Sequence, residues 1–195
     1  DRAMGVTMKP NTALTIGSLA AIANRDNISL AESFLNCEIV VLIDQSGSMS
    51  AKDAPGRRSR YDAADAELIA LQKRHPGQVA VIEFSNDVKF CPGGVPSRQG
   101  CGTDMAAALN FARVADGASK IVLVSDGVPD DEQRTINAAR RYNNPIHTIF
   151  IGPEDDHEGG RAFLAQLATA TGGRTFQSDA PGLLGEGVEH LLLAA

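Results

Sequence analysis

The sequence has no tryptophan, and its two tyrosines and seven phenylalanines bring aromatics to only 5% of 195 residues. It therefore lacks the stacking platforms on which single-stranded nucleic-acid binders seat their bases. Positive charge is also scarce: 18 Lys and Arg stand against 24 Asp and Glu, a formal net charge of −6. A chain that grips phosphate backbones, or one that docks on anionic lipid through a polybasic face, leans the other way. No run of 18 apolar residues occurs, so no segment reads as inserting into a membrane. The three cysteines, Cys37, Cys91 and Cys101, are too few and too odd in number for a disulfide scaffold. Cys91 and Cys101 bracket one loop and would pair in oxidising surroundings; in a reducing compartment they read as free thiols. The chain starts at Asp1-Arg2 rather than at Met and carries no apolar leader pattern, which suggests a processed chain or a fragment.

What is present fits a globular protein of one domain plus an appendage, with 43% hydrophobic and 22% charged residues. Continuous apolar runs, Ile39–Ile43, Val79–Phe84, Ile121–Val124 and Ile146–Ile151, have the character of strands buried on both faces. Val88-Lys89-Phe90 reads as a short edge strand after the Ser85-Asn86-Asp87 turn, and Arg174-Thr175-Phe176 as a last strand. Between them run stripes at helical spacing: Tyr61, Ala64, Leu68 and Ile69; Met105, Ala108, Leu109 and Ala112; Ile136, Ala139 and Tyr142; Phe163, Leu164, Leu167 and Ala168; Leu184, Val188, Leu191 and Leu192. Thr103 or Asp104 is placed to cap the second of these. Strand and helix alternate, so the expected fold is α/β: a doubly wound, mostly parallel six-stranded sheet with one antiparallel edge strand and helices on both faces. Residues 1–36 fall outside the alternation and read as an N-terminal extension packed on the domain, with Ile28-Ser29-Leu30 as a short strand.

In open α/β sheets ligands bind beyond the carboxyl ends of the strands. Here those ends are rich in oxygen. The first strand runs into Asp44-Gln45-Ser46-Gly47-Ser48, where alternation aims Asp44, Ser46 and Ser48 to one side. Thr103 precedes the second helix stripe, and the strand over 121–124 ends in Ser125-Asp126-Gly127. Carboxylates and hydroxyls are hard ligands suited to Mg²⁺ or Mn²⁺ rather than Zn²⁺. Two carboxylates and three hydroxyls neutralise a divalent ion poorly, so such a site would attract a further carboxylate. None of the four histidines has zinc-site spacing.

With these residues in place, the chain resembles a von Willebrand factor type A domain, the fold shared with integrin inserted domains, over roughly residues 37–192. Asp44, Ser46 and Ser48 match that family's Asp-x-Ser-x-Ser metal-ion-dependent adhesion motif, Thr103 its separate threonine and Asp126 its distal aspartate. The resemblance implies that these five hold Mg²⁺ or Mn²⁺, directly or through water, and that a partner protein supplies a Glu or Asp to complete the coordination. It divides the chain at residue 37, with the domain over 37–195. Together with the few cysteines it implies a bacterial, cytoplasmic setting.

Arg57, Arg58 and Arg60 follow the motif and are expected to steer an acidic partner, or else to form a solvated loop. The Cys91–Cys101 segment reads as a recognition loop beside the metal or as padding. Asp130-Asp131-Glu132 reads as the acidic start of a helix. No nucleophile–base pair is evident, so an enzyme is not expected. The alternative is an Mg²⁺-dependent phosphoryl-transfer enzyme with Asp44 as nucleophile. That chemistry asks for an acid two residues on, where this chain has Ser46.

Overall fold

The computed structural model describes residues 14–54, 56–97, 100–152, 159–177 and 186–190. In chain order its elements begin with α1 (Leu19–Asp26), α2 (Leu30–Leu35), β1 (Ile39–Asp44), α3 (Arg60–Arg74), β2 (Val79–Phe84) and β3 (Val88–Phe90). They continue with α4 (Met105–Ala112), β4 (Lys120–Ser125), α5 (Glu132–Ala139), β5 (Ile146–Phe150), α6 (Gly160–Thr171) and β6 (Thr175–Gln177). The strands form one six-stranded sheet in the order β3-β2-β1-β4-β5-β6, parallel throughout except for β3. This is the doubly wound architecture that the alternation predicts.

β1 is the centre of the sheet, and every one of its six residues is buried. Successive strand side chains point to opposite faces. Val40 and Leu42 therefore join a core with Leu109 of α4, Ile136 of α5 and Leu164 of α6. Ile39, Val41 and Ile43 pack on the other face with Leu68 and Leu71 of α3 and with Val188. Burying side chains of this size contributes about 1.5–3 kcal/mol each. In α3 the buried stripe keeps Tyr61, Ala64 and Leu68 but continues through Leu71 and Gln72, leaving the predicted Ile69 half-buried. Leu71, seven residues after Ala64 and three after Leu68, continues the buried face, and Ile69 lies at its margin. Leu184, Leu191, Leu192 and the acidic stretch Asp155–Glu158 lie outside the described residues.

Residues 14–36 pack against the rest of the chain, and Leu19 enters the core shared by α4, α5 and α6. Backbone hydrogen bonds join Thr15 N–H to Gly93 O (3.1 Å), Ala20 N–H to Pro92 O (2.9 Å) and Gly77 N–H to Gly17 O (2.9 Å). The strand expected at Ile28-Ser29-Leu30 is instead the start of α2. Ser29 accepts from Glu32 N–H at 3.1 Å, and a Ser-x-x-Glu start overrides the β preference of the isoleucine. All three thiols are free, with Cys37 and Cys91 buried and Cys101 exposed. Among the described residues no helix is long and apolar enough to cross a membrane.

Candidate functional site

β1 and β4 are parallel neighbours, so Asp44 and Ser125-Asp126 leave the sheet side by side at its carboxyl end. Asp44 Oδ1 accepts from the Ser46 N–H at 2.7 Å, a local turn that reverses the chain directly after the strand. Gly47–Ser50 then form one 3₁₀ turn. This turn brings the Ser46 and Ser48 hydroxyls to 2.9 Å from each other. The Ser48 hydroxyl donates to Asp126 Oδ1 at 2.8 Å, and the Ser125 hydroxyl donates to Asp44 Oδ2 at 2.5 Å. Asp44, Ser46, Ser48 and Asp126 thus form one hydrogen-bonded chain. From α3, the Tyr61 hydroxyl donates to the carbonyls of Gln45 and Ser46 and holds the turn from beneath.

Thr103 arrives on a separate loop that is pinned through its backbone. Gly100 N–H donates to Gln45 O (2.8 Å), Asn86 N–H to Cys101 O (2.8 Å) and Asp104 N–H to Ser85 O (2.9 Å). Gly102 adopts φ +66°, which favours glycine, and a Cβ there would displace the Asn86 amide, whose Oδ1 would lie 1.8 Å away. Asp130 binds Thr103 twice: its carboxylate accepts from Thr103 N–H at 3.0 Å, and its own N–H donates to Thr103 O at 3.1 Å. Of the two residues expected to cap α4, Asp104 does so, accepting from Ala107 N–H at 2.9 Å. Asp131 caps α5.

The two carboxylates sit in a dry environment. Asp44 is fully buried; burial pushes its carboxyl up to about 6, against the opposing hydrogen bonds from Ser125 and Ser46. Burial also raises Asp126, opposed by its bonds to Arg60 and Ser48. Arg60 departs from the expected rim of three steering arginines. Its side chain is only 11% exposed and donates through Nη1 to Asp126 Oδ2 at 2.5 Å. Through Nε and Nη2 it also grips both oxygens of Asp53, at 3.0 and 2.5 Å. Its charge is spent inside the site rather than presented to solvent. Arg57 and Arg58 are exposed, on a loop closed by the Ala54–Arg58 bridge.

Among the described residues no group of three or more His, Cys, Asp or Glu side chains is placed to hold a metal ion. A cation here would depend on hydroxyls as much as on carboxylates. That donor set is hard and oxygen-only, which fits Mg²⁺ or Mn²⁺ and not Zn²⁺. Sequence reasoning missed the parts played by Ser125, Tyr61, Asp130 and Asp53. Ser125 was signalled by its place beside Asp126 at a strand end; Asp53 carried no signal in sequence.

No family model matches the chain. Over 164 residues it is 25% identical to calcium-activated chloride channel regulator 1 of Bos taurus, covering 72% of this chain and 17% of that protein. The chain therefore spans about a sixth of that relative's length. Among solved structures, the D319A mutant of the PilB minor pilin from Streptococcus sanguinis aligns with a TM-score of 0.64 at 12% identity, over 80% of this chain and 60% of that one. A von Willebrand factor type A protein from Catenulispora acidiphila gives 0.59 at 19% identity, over 80% and 41%. The manganese-loaded TRAP protein of Plasmodium vivax gives 0.54 at 16% identity, over 80% and 71%. At these identities the likeness establishes the fold: the chain has the von Willebrand factor type A fold.

Proposed function

We propose that the chain is a non-enzymatic protein-binding module that holds Mg²⁺ or Mn²⁺ through Asp44, Ser46, Ser48, Thr103 and Asp126 and captures a Glu or Asp of a partner protein. The observation that carries this reading is the hydrogen-bonded chain Asp44–Ser46–Ser48–Asp126 at the carboxyl ends of adjacent parallel strands. A manganese-loaded protein of the same fold supports a divalent ion. When bound, the ion supplies a Lewis-acidic position for a carboxylate. The chain's own residues do the rest. Tyr61 and Asp130 fix the two loops, Ser125 orients Asp44, and exposed Arg57 and Arg58 add positive potential nearby.

The phosphoryl-transfer alternative draws no support from the geometry. The position two residues after Asp44, where that chemistry asks for an acid, is Ser46, whose hydroxyl bonds to Ser48. The test is retention of the protein on immobilised Glu- and Asp-containing peptides in Mg²⁺ and in EDTA. Retention should require Mg²⁺ and vanish in Asp44→Ala. Equal retention of the two proteins would overturn the reading, as would turnover of a phosphate ester lost on Asp44→Asn.

A further inference from the structure

Arg60 is the first residue of α3, directly after the capping Ser59. A cation in the first turn of a helix opposes the helix dipole, at a cost of about 0.3–1 kcal/mol. Its guanidinium is nonetheless folded into the site, with three nitrogens committed to two carboxylates. Both oxygens of Asp126 are in turn taken, one by Ser48 and the other by Arg60. A divalent ion that draws on Asp126 must therefore share that carboxylate with a fixed positive charge. Asp53 provides Arg60 with a second, bidentate partner on a more exposed loop: its side chain is 43% exposed, whereas that of Asp126 is fully buried. The guanidinium can release one carboxylate without losing both.

From this arrangement, and resting on the function proposed above, we infer that Arg60 is a built-in competitor for the cation. It sets how tightly the site holds a divalent ion by claiming Asp126, with Asp53 as its alternative partner. Removing the positive charge tightens ion binding, and removing the alternative partner weakens it. A merely structural Arg60 would behave in the opposite way, because its loss would loosen the site and lower affinity. Even with the screening of bulk water, one unit charge about 4 Å from a divalent ion is worth more than about tenfold in affinity.

The test is a titration of the full chain with Mn²⁺, following free ion by electron paramagnetic resonance, with melting in EDTA as the check on folding. Arg60→Gln should bind Mn²⁺ about tenfold more tightly than the parent. Arg60→Lys keeps the charge but not the fork that spans Asp53 and Asp126, and should bind with an affinity between those of the parent and Arg60→Gln. Asp53→Asn should bind about threefold more weakly. Parent-like or weaker binding by a folded Arg60→Gln overturns the inference. Should that variant not fold, unchanged or tighter binding by Asp53→Asn does the same. Saturable uptake by the parent that Asp44→Ala abolishes, without tightening in Arg60→Gln, removes the inference alone. No uptake by the parent, or equal uptake by Asp44→Ala, removes the proposed function and the inference with it.

Discussion

Asp44→Asn is expected to stabilise the protein in EDTA while abolishing its response to Mg²⁺. The Asp44 carboxyl is lifted from 3.8 to about 6, chiefly by burial. Above pH 7 the ionised group therefore costs about 3 kcal/mol relative to its neutral form, at about 1.4 kcal/mol per unit. Asparagine is the neutral isostere and keeps an acceptor for the Ser46 N–H. It must re-form the bond that Asp44 now accepts from Ser125 at 2.5 Å, at a loss of about 1–2 kcal/mol. The net expectation at pH 7.5 is about 1–2 kcal/mol of stabilisation. The sign with pH follows from the direction of the shift. The folded carboxyl binds its proton more tightly than the unfolded one, so parent stability falls as pH rises from about 4 through about 6. The variant lacks that fall, and its advantage shrinks toward pH 4. Urea denaturation followed by circular dichroism, at pH 4.5 and 7.5 in EDTA and again in Mg²⁺, reads each part. Mg²⁺ should raise the parent and leave the variant unchanged. A variant less stable than the parent by more than about 1 kcal/mol at pH 7.5 in EDTA would refute the reasoning, because Asp44 would then be a net structural support.

Tyr61→Phe removes a hydroxyl but no ring volume; it should cost about 1 kcal/mol in urea denaturation and weaken Mn²⁺ binding through a looser turn. Cys91 is pushed up to about 12, mostly by burial and then by the Glu83 charge. At pH 8 its thiol is therefore protonated, and Cys37 is buried and also raised. A disulfide reagent should therefore modify exposed Cys101 alone in the folded protein; fast reaction of a second thiol would contradict this burial. Gly17 sits at φ +87°, and a Cβ there would lie 1.9 Å from the Gln72 carbonyl oxygen. Gly17→Ala should lower stability by about 2–4 kcal/mol and open the segment before Leu19 to proteolysis, read by mass spectrometry of the fragments.

The strands were legible because a parallel sheet covered on both faces needs unbroken apolar runs, and β1, β2, β4 and β5 have them. The grouping of Asp44, Ser46, Ser48 and Asp126 into one hydrogen-bonded cluster was legible for a related reason: the first three are local in sequence, and Asp126 marks the end of a recognisable strand. Failures came where a short-range rule outbid a pattern. Ser29 and Glu32 turned an isoleucine-led segment into a helix start, and the packing of α3 buries Leu71 while leaving Ile69 at the margin of the face. Arg60 looked like Arg57 and Arg58 in sequence. Only its position as the first helical residue, with Asp126 folded back 66 positions away in the chain, separates it from them. Tyr61 and Asp130 act through backbone atoms of distant loops, which no spacing rule reveals.

Among the described residues the sheet is bounded by β3 and β6, each three residues long. A long open strand offers a ladder of unpaired amides and carbonyls to a second chain, and sheets exposing one tend to extend into fibrils. These borders offer a few rungs each, and on β3 the half-exposed Lys89 is held in place by its ion pair with buried Glu83 at 3.8 Å, which sets a hydrated ammonium on that border. Many copies held close together, as multivalent display would require, should therefore stay separate folded units and not fuse through their sheets.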